Sequence, residues 1–501
     1  MVCHSAVEST TERERITMKI PNARRKISHK VLAVSPALLL SGCLVGPNYH
    51  RPPVAVPAQY KELPGWTVAV PAADAPKGDW WTVFDDPLLD RLEPMVSVSN
   101  QTVRQDYANY QEALAEVQVA RSALFPTLGI IGSATKQHGA NASVGTGATV
   151  TAGSLEGSVS WAPDLWGAVR RAIEESKANA QASAATLANA TLSEQTALAS
   201  AIIELRVTDA NIDLLQKTVE AFKEYLRVVA NQGTAGTTAP SAVITARTQL
   251  ENTQASLIAL GVARAQYAHA IAVLVGKNPE ELDIPHSASL PTLPPVPAAV
   301  PSTLLQRRPD IAIAERQMAA ENAAVGVAVA AYYPSLSLSA AAGFSQSPLA
   351  GLLHAANHVW SLGAETSETV FDAGERHAQV AAAKAAYEAA VAHYRGTVLG
   401  AFQNVEDDLA GLRILAQQSE VLDSAVRDAT RGSEIAFNEY QAGTVDYTTA
   451  ATAQATQLST EESALGVKQQ RLLDAVSLIG DLGGGWSVSE LGESGKSAAQ
   501  R

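Results

Sequence analysis

Cys43 stands in a setting that prescribes one reaction. It ends the run Leu40-Ser41-Gly42-Cys43, which looks like a bacterial lipobox: small residues admit a peptidase and the cysteine sulfur accepts a diacylglycerol. Upstream lie Lys19, Arg24, Arg25, Lys26 and Lys30, then an apolar stretch from Val31 to Leu40 too short to span a bilayer. That is the layout of a secretory leader covering residues 1–42, after which Cys43 is the first mature residue. Residues 1–17 fit no part of it, so Met18 is read as the initiator. Other chemistry-bearing residues are few. His354 and His358 are four apart, a spacing that can hold zinc on a helix, but no nearby acidic residue completes a site. Asp164 and Asp372, each ahead of a glycine, read as helix caps, with Gly167 and Gly374 relieving the backbone. No G-x-S-x-G, P-loop or HExxH occurs, and Gly483 to Gly485 lack a following Lys-Ser/Thr. The expectation is a non-enzyme with no cofactor and no metal.

Composition narrows what these residues can serve. The chain has 501 residues, 47% hydrophobic and 17% charged, enough to bury sizeable cores and far from the composition of disorder. Its net charge of −13 becomes −17 once the leader takes away seven Lys/Arg and three Asp/Glu. Nucleic acid is excluded as a partner, because phosphates need a positive face. The other cysteine, Cys3, lies in the leader, so the mature chain has no pair for a disulfide.

The elements that position these residues come in two copies. Ala123-Leu-Phe-Pro-Thr-Leu128 recurs as Ala331-Tyr-Tyr-Pro-Ser-Leu336, and Asp164 recurs as Asp372, at an offset of 208. Asp164-Leu-Trp-Gly167 is one residue longer than Asp372-Ala-Gly374, and downstream Gly236 matches Gly443 and Gly276 matches Gly483 at 207. The organisation read from this is a Pro-rich N-terminal tether over 43–79 and a first repeat over 80–290 with a β-hairpin at 124–163 and long helices at 168–276. A Pro-rich linker at 291–305 leads to a second repeat over 306–486, with a hairpin at 334–371 and long helices at 373–480, and a tail at 487–501. In each hairpin the residues alternate with a period of two, and the second strands are expected at Gly153 to Trp161 and Trp360 to Phe371. The helices follow from long proline-free stretches. In the first, Leu198, Ile202, Leu205, Ile212, Leu215, Val219, Phe222, Leu226 and Val229 recur in steps of three and four, with Asp209 interrupting.

The mature chain carries no apolar run of 18 residues, so any membrane crossing falls to strands. A spanning sheet cannot leave its edge N–H and C=O groups unpaired in lipid, and four strands cannot close alone. Copies must pool them: two give about eight strands and three about twelve, and only the larger ring leaves an appreciable aqueous lumen. Glu365 and Glu368 have opposite parity on the last strand, which conflicts with a single polar lumen face.

The sequence resembles the outer membrane factor family of bacterial tripartite efflux systems, TolC-like channels, in its NodT-type lipoprotein branch. The resemblance rests on Cys43-Leu-Val-Gly-Pro-Asn-Tyr-His-Arg-Pro-Pro53, Trp80-Trp-Thr-Val-Phe-Asp-Asp-Pro-Leu-Leu-Asp90, Pro301-Ser-Thr-Leu-Leu-Gln-Arg-Arg-Pro-Asp-Ile311 and Gly480-Asp-Leu-Gly-Gly-Gly-Trp486. It implies an α+β membrane protein: a homotrimer whose 12-stranded outer-membrane β-barrel continues as a periplasmic α-helical barrel. Its partners would be itself, a periplasmic adaptor protein, an inner-membrane pump and outer-membrane lipid, and its function passive export of small molecules. The inner aperture would be formed by the turns holding Gly236 and Gly443. Where relatives often carry aspartates, this chain has Thr449 and Thr452, and the matching position of the first repeat is Ala242. The aperture candidates are therefore Thr448, Thr449, Thr452, Asp446 and Ala242, with the acidic ring missing or moved to Asp446. Arg308 and Asp310 read as a buried pair or a helix cap.

Overall fold

A computed structural model describes residues 44–57, 60–62, 79–141, 145–294, 306–489 and 491. The leader, the Met18 start and Cys43 lie outside the described residues, as do most of the linker and of the C-terminal tail.

The first repeat opens with α1 (Pro87–Ser99) and α2 (Gln101–Ser122). Each starts at a side chain that takes two backbone N–H groups, Asp86 at 2.7 and 3.1 Å and Asn100 at 2.8 and 3.1 Å. Then come β1 (Thr127–Asn141), β2 (Gly145–Trp161), α3 (Ala168–Thr234) and α4 (Pro240–Leu274). The second repeat runs α5 (Pro309–Ala330), β3 (Ser335–Gln346), β4 (His358–Ser367), α6 (Glu375–Gln441) and α7 (Tyr447–Asp481). Both α3 and α6 have 67 residues, which at 1.5 Å per residue makes each about 100 Å long. The four strands form one antiparallel sheet in the order β1-β2-β3-β4, with β1 and β4 at its edges.

Helix α3 packs on α4 and α5, and α6 on α5 and α7. The apolar seam expected in α3 faces inward: Leu198, Ile202 and Leu205 join Leu89 and Leu92 of α1, Met318 of α5, Val398 and Val405 of α6, and Val476 of α7 in one core. Each such side chain contributes about 1.5–3 kcal/mol by leaving water. Asp209, which breaks the seam, is fully buried but paired: Arg264 of α4 lies 2.7 Å from it and the Ser287 N–H 2.9 Å.

The duplication is also visible in how the repeats close. Gly276 and Gly483 both have positive φ, +72° and +96°, and a Cβ there would fall 2.1 Å from the Ser99 carbonyl oxygen and 2.2 Å from that of Arg307. The next residue in each case caps the same helix end with different chemistry. Asn100 donates to the Leu274 carbonyl and Arg308 to that of Asp481, both at 2.9 Å. Arg308 also forks onto Asp310 at 3.0 and 2.8 Å, and Asp310, itself only half-buried, takes the Ile311 N–H at 2.8 Å, so the pair forms with Arg308 alone buried and the carboxylate also serves the first turn of α5.

Several expectations are corrected. The second strand of the first hairpin begins at Gly145 rather than Gly153, and that of the second hairpin ends at Ser367 rather than Phe371. Glu368 is therefore beyond the strand, and its parity conflict with Glu365 disappears. Among its described residues, 44–57 and 60–62, the proline-rich segment after position 43 is no free tether, since Tyr60 is buried and Lys61 and Glu62 donate backbone N–H groups to Glu406 at 2.7 and 3.0 Å. The start of the linker also packs, with the Thr292 N–H on the Phe84 carbonyl at 2.8 Å. Finally, α4 is long and apolar enough to cross a membrane by length and composition, with an 18-residue window of mean hydropathy 1.5. Scattered polar residues hide it from a search for unbroken apolar runs. Its pairing along α3 and the Arg264–Asp209 ion pair hold it to the helical body instead.

Candidate functional site

The sheet has two chemically distinct faces. Register places Leu128 opposite Val159, and carries that face on through Leu155, Phe344, Trp360 and Leu362. Leu128, Trp360 and Leu362 are 79%, 70% and 76% exposed. On the opposite face lie Ser133, Ser154, Glu156, Ser339, Ser361 and Glu365, so both strand carboxylates share the side that is polar in the main, with Ile131 and Val359 among them and Lys136 on the apolar side. Small residues keep that side open to Glu156: a Cβ on Gly343 would sit 2.9 Å from its Cγ. A polar face backed by an exposed apolar one suits a wall between water and lipid.

At the strand-to-helix corners the two aspartates do the same work. Asp164 accepts the Val169 and Arg170 N–H groups at 3.2 and 3.0 Å, and the Arg170 guanidinium at 3.0 Å. Asp372 accepts the Gly374 and Arg376 N–H groups at 2.9 and 3.3 Å, with the Arg376 guanidinium at 2.6 Å. The Arg376 guanidinium and those two amides hold the Asp372 carboxyl down, to about 2. Gly167 and Gly374 each turn the chain at positive φ, +87° and +93°. Trp166 braces the corner by stacking on Tyr333 at 4.8 Å and donating to the Pro334 carbonyl. His354 and His358 flank the turn before β4, where His358 meets Phe344 edge-on. No group of three His, Cys, Asp or Glu side chains able to hold a metal occurs among the described residues.

At the far end of the helices, Gly236 and Gly443 turn the two helical hairpins with φ of +74° and +75°. A Cβ at either would meet nothing, so glycine is needed there for the backbone alone. Matching bonds close both turns, Thr237 N–H on Gln232 at 2.9 Å and Thr444 N–H on Glu439 at 3.0 Å.

The aperture candidates divide. Asp446, Thr448, Thr449 and Thr452 are exposed and line a cavity of about 540 Å³ with Gly432 and Ser433. Asp446 caps α7: its carboxylate takes the Thr449 N–H at 3.0 Å and the hydroxyl at 2.9 Å, which lowers its pKa. The Thr452 hydroxyl donates to the Thr448 carbonyl at 2.8 Å. Ala242 stands apart from them, half-buried in an apolar cluster with Val229, Ala246, Tyr440 and Tyr447.

The sequence, with Gly233 where the second repeat has Tyr440, allows a tyrosine contact from one side only, and the structure forms it between the hairpins. Tyr440 donates to Gln232 of α3, packs edge-on against Tyr447 at 5.4 Å, and stands near Phe437, which meets Tyr225 at 4.0 Å. The tyrosine has no counterpart at Gly233, where a Cβ would fall 3.0 Å from the Val243 side chain. Sequence reasoning missed His286, with its two ring nitrogens 3.1 Å from Asp209 and 2.7 Å from Asp213. The break Asp209 makes in the seam was the available signal.

A family model described as outer membrane efflux protein matches residues 95–277 and 300–484. The toluene efflux pump outer membrane protein TtgC of Pseudomonas putida is 30% identical over 462 residues, covering 91% of this chain and 95% of that protein. The cation efflux system protein CusC of Escherichia coli is 26% identical over 460 residues, covering 91% and 99%. Among solved structures, the outer-membrane channel OprN superposes with a TM-score of 0.82 at 30% identity over 89% of this chain and all of that one. The Campylobacter jejuni CmeC outer membrane channel has the same fold, with a TM-score of 0.84 at 23% identity over 91% and 98%.

Proposed function

The chain belongs to the outer membrane efflux protein family, and from that premise we propose that three copies pool their sheets into one 12-stranded ring in the outer membrane, continued through the periplasm by their helices. The duct is passive: an inner-membrane pump supplies the energy, an adaptor docks at the helix tips, and small molecules such as drugs and toxic organic compounds leave through a water-filled lumen. The relatives named for toluene and cation efflux differ in cargo, and selection of cargo belongs to the pump. The exposed apolar residues of α4, Ile244, Ile258 and Val262, are covered by neighbouring copies. Cys43, with its acyl chains in the inner leaflet, adds a lipid anchor.

The observation that carries this reading is the open four-stranded sheet with one apolar exposed face and two unpaired edges, which lipid tolerates only when closed. A periplasmic adaptor or other non-pore lipoprotein would have no use for two such hairpins. The test is the detergent-extracted protein in planar bilayers, combined with its mass. A trimer that conducts, at least once Tyr440 is replaced by Phe to loosen the tip, is expected; a monomer, or silence in every loosened variant, would overturn the duct.

A further inference from the structure

We propose that residues 44–57 and 60–62 form a docked strap that locks α5 between α3 and α6, with Arg171 as its socket, and that this clamp works whether or not Cys43 carries lipid. The strap's contacts touch both repeats in order along its length. The Val45 N–H bonds the Trp166 carbonyl at 3.1 Å, at the corner leading into α3. Arg171, 2% exposed, then holds it in three places: the Val45 carbonyl at 3.1 Å, that of Gly46 at 3.2 Å and the Asn48 side chain at 2.9 Å. The same guanidinium pairs with Glu174 of α3 at 2.7 Å, and its remaining N–H groups, buried as they are, would lose their partners if the segment left its place.

Backbone meets backbone at the next point. A Cβ on Gly46 would lie 2.5 Å from the Gly326 Cα of α5, and one on Gly326 would lie 2.8 Å from Arg171 Cδ. Asn322 of α5 donates to the Pro47 carbonyl at 3.1 Å, and Tyr49 donates to Glu315, one helical stretch further along α5, at 2.6 Å. Arg51 then reaches Tyr394 of α6 at 2.9 Å, and Lys61 and Glu62 end on Glu406.

The inference stands apart from the pore reading, because every contact lies within one chain.

The test is hydrogen exchange on the purified full chain in detergent, acylated and as Cys43→Ser, beside Gly46→Val. The Val45, Lys61 and Glu62 amides are expected to be protected in both of the first two proteins. Gly46→Val, whose side chain cannot approach α5, should speed exchange of the strap at least tenfold and also that of residues 309–330. A strap that exchanges freely in the parent chain, protection lost in Cys43→Ser, or an α5 indifferent to release of the strap would each overturn the clamp. Should Gly46→Val not fold, Asn48→Ala, which removes one of the Arg171 bonds, should produce smaller accelerations in both segments, and no change in either would equally overturn it.

Discussion

Glu93 sits fully buried on the inner face of α1 with neither carboxylate oxygen hydrogen-bonded, and burial pushes its pKa up from 4.5 to about 9. Below pH 4.5 the group is neutral folded and unfolded. As pH rises above that value the unfolded chain gives up its proton first, so stability is lost progressively up to about pH 9. Glu93→Gln should therefore leave the unfolding midpoint unchanged at pH 4 and raise stability at pH 7, by about 3 kcal/mol at most. Thermal melts at the two pH values check this. Asp408, pushed up to about 8 by burial first and then by Asp481, acts in the same sense. Glycine gives a second contrast. Gly443→Ala strains only a positive φ in open space, for a cost of about 1 kcal/mol, whereas Gly276→Ala must also displace the Ser99 carbonyl and should cost at least twice as much in the same melts. The pattern reveals Gly236 and Gly443 as turn residues, while Gly276 enters it only as the counterpart of Gly483 at 207. Glu93 is invisible to it, because an isolated glutamate on a short helix looks like any solvated one.

Long elements were legible because periodicity is local. Seventy residues without proline, with apolar positions in steps of three and four, can scarcely be anything but α3 and α6, and period-two alternation after Pro126 and Pro334 marks the hairpins. What escaped depends on residues far apart in the chain. β2 is eight residues longer than expected because strand-poor glycines interrupt strand-favouring Thr and Val over 145–152, and pairing with β1 recruits the stretch. The tip is the clearest case: spacing from Gly236 put Ala242 among the aperture candidates, and only three-dimensional packing moves it into the cluster around Tyr440. That packing has a consequence for closure. Within each protomer the hairpins are joined by Tyr440 to Gln232 and by aromatic contacts, not by ion pairs, while the Asp446 charge is already engaged by Thr449. Salt screens ion pairs far more than neutral contacts. Leak through the closed form should accordingly change less than twofold, after correction for bulk conductivity, between 0.1 and 1 M salt, and Tyr440→Phe should raise it more than Asp446→Asn does.

At the level of the whole molecule, the sheet's two faces turn an assembly argument into a measurable asymmetry. Leu362 on β4 is 76% exposed, and in a protein bathed in water its replacement by arginine would cost nothing or improve solubility. In a ring of twelve strands the same side chain meets hydrocarbon, and arginine there costs about 2–4 kcal/mol near the bilayer midplane. Ser361, the preceding residue, points to the other face and into the lumen. Ser361→Arg should leave folding in lipid vesicles intact but reduce conductance for cations by adding three positive charges per trimer to the passage. Leu362→Arg should instead lower the yield of folded, heat-resistant trimer while leaving conductance per surviving channel near that of the parent. One residue step thus exchanges a folding defect for a permeation defect, an outcome that only alternation across a closed wall between lipid and water produces. If both substitutions weaken folding equally, or neither alters conductance, the sheet does not form that wall.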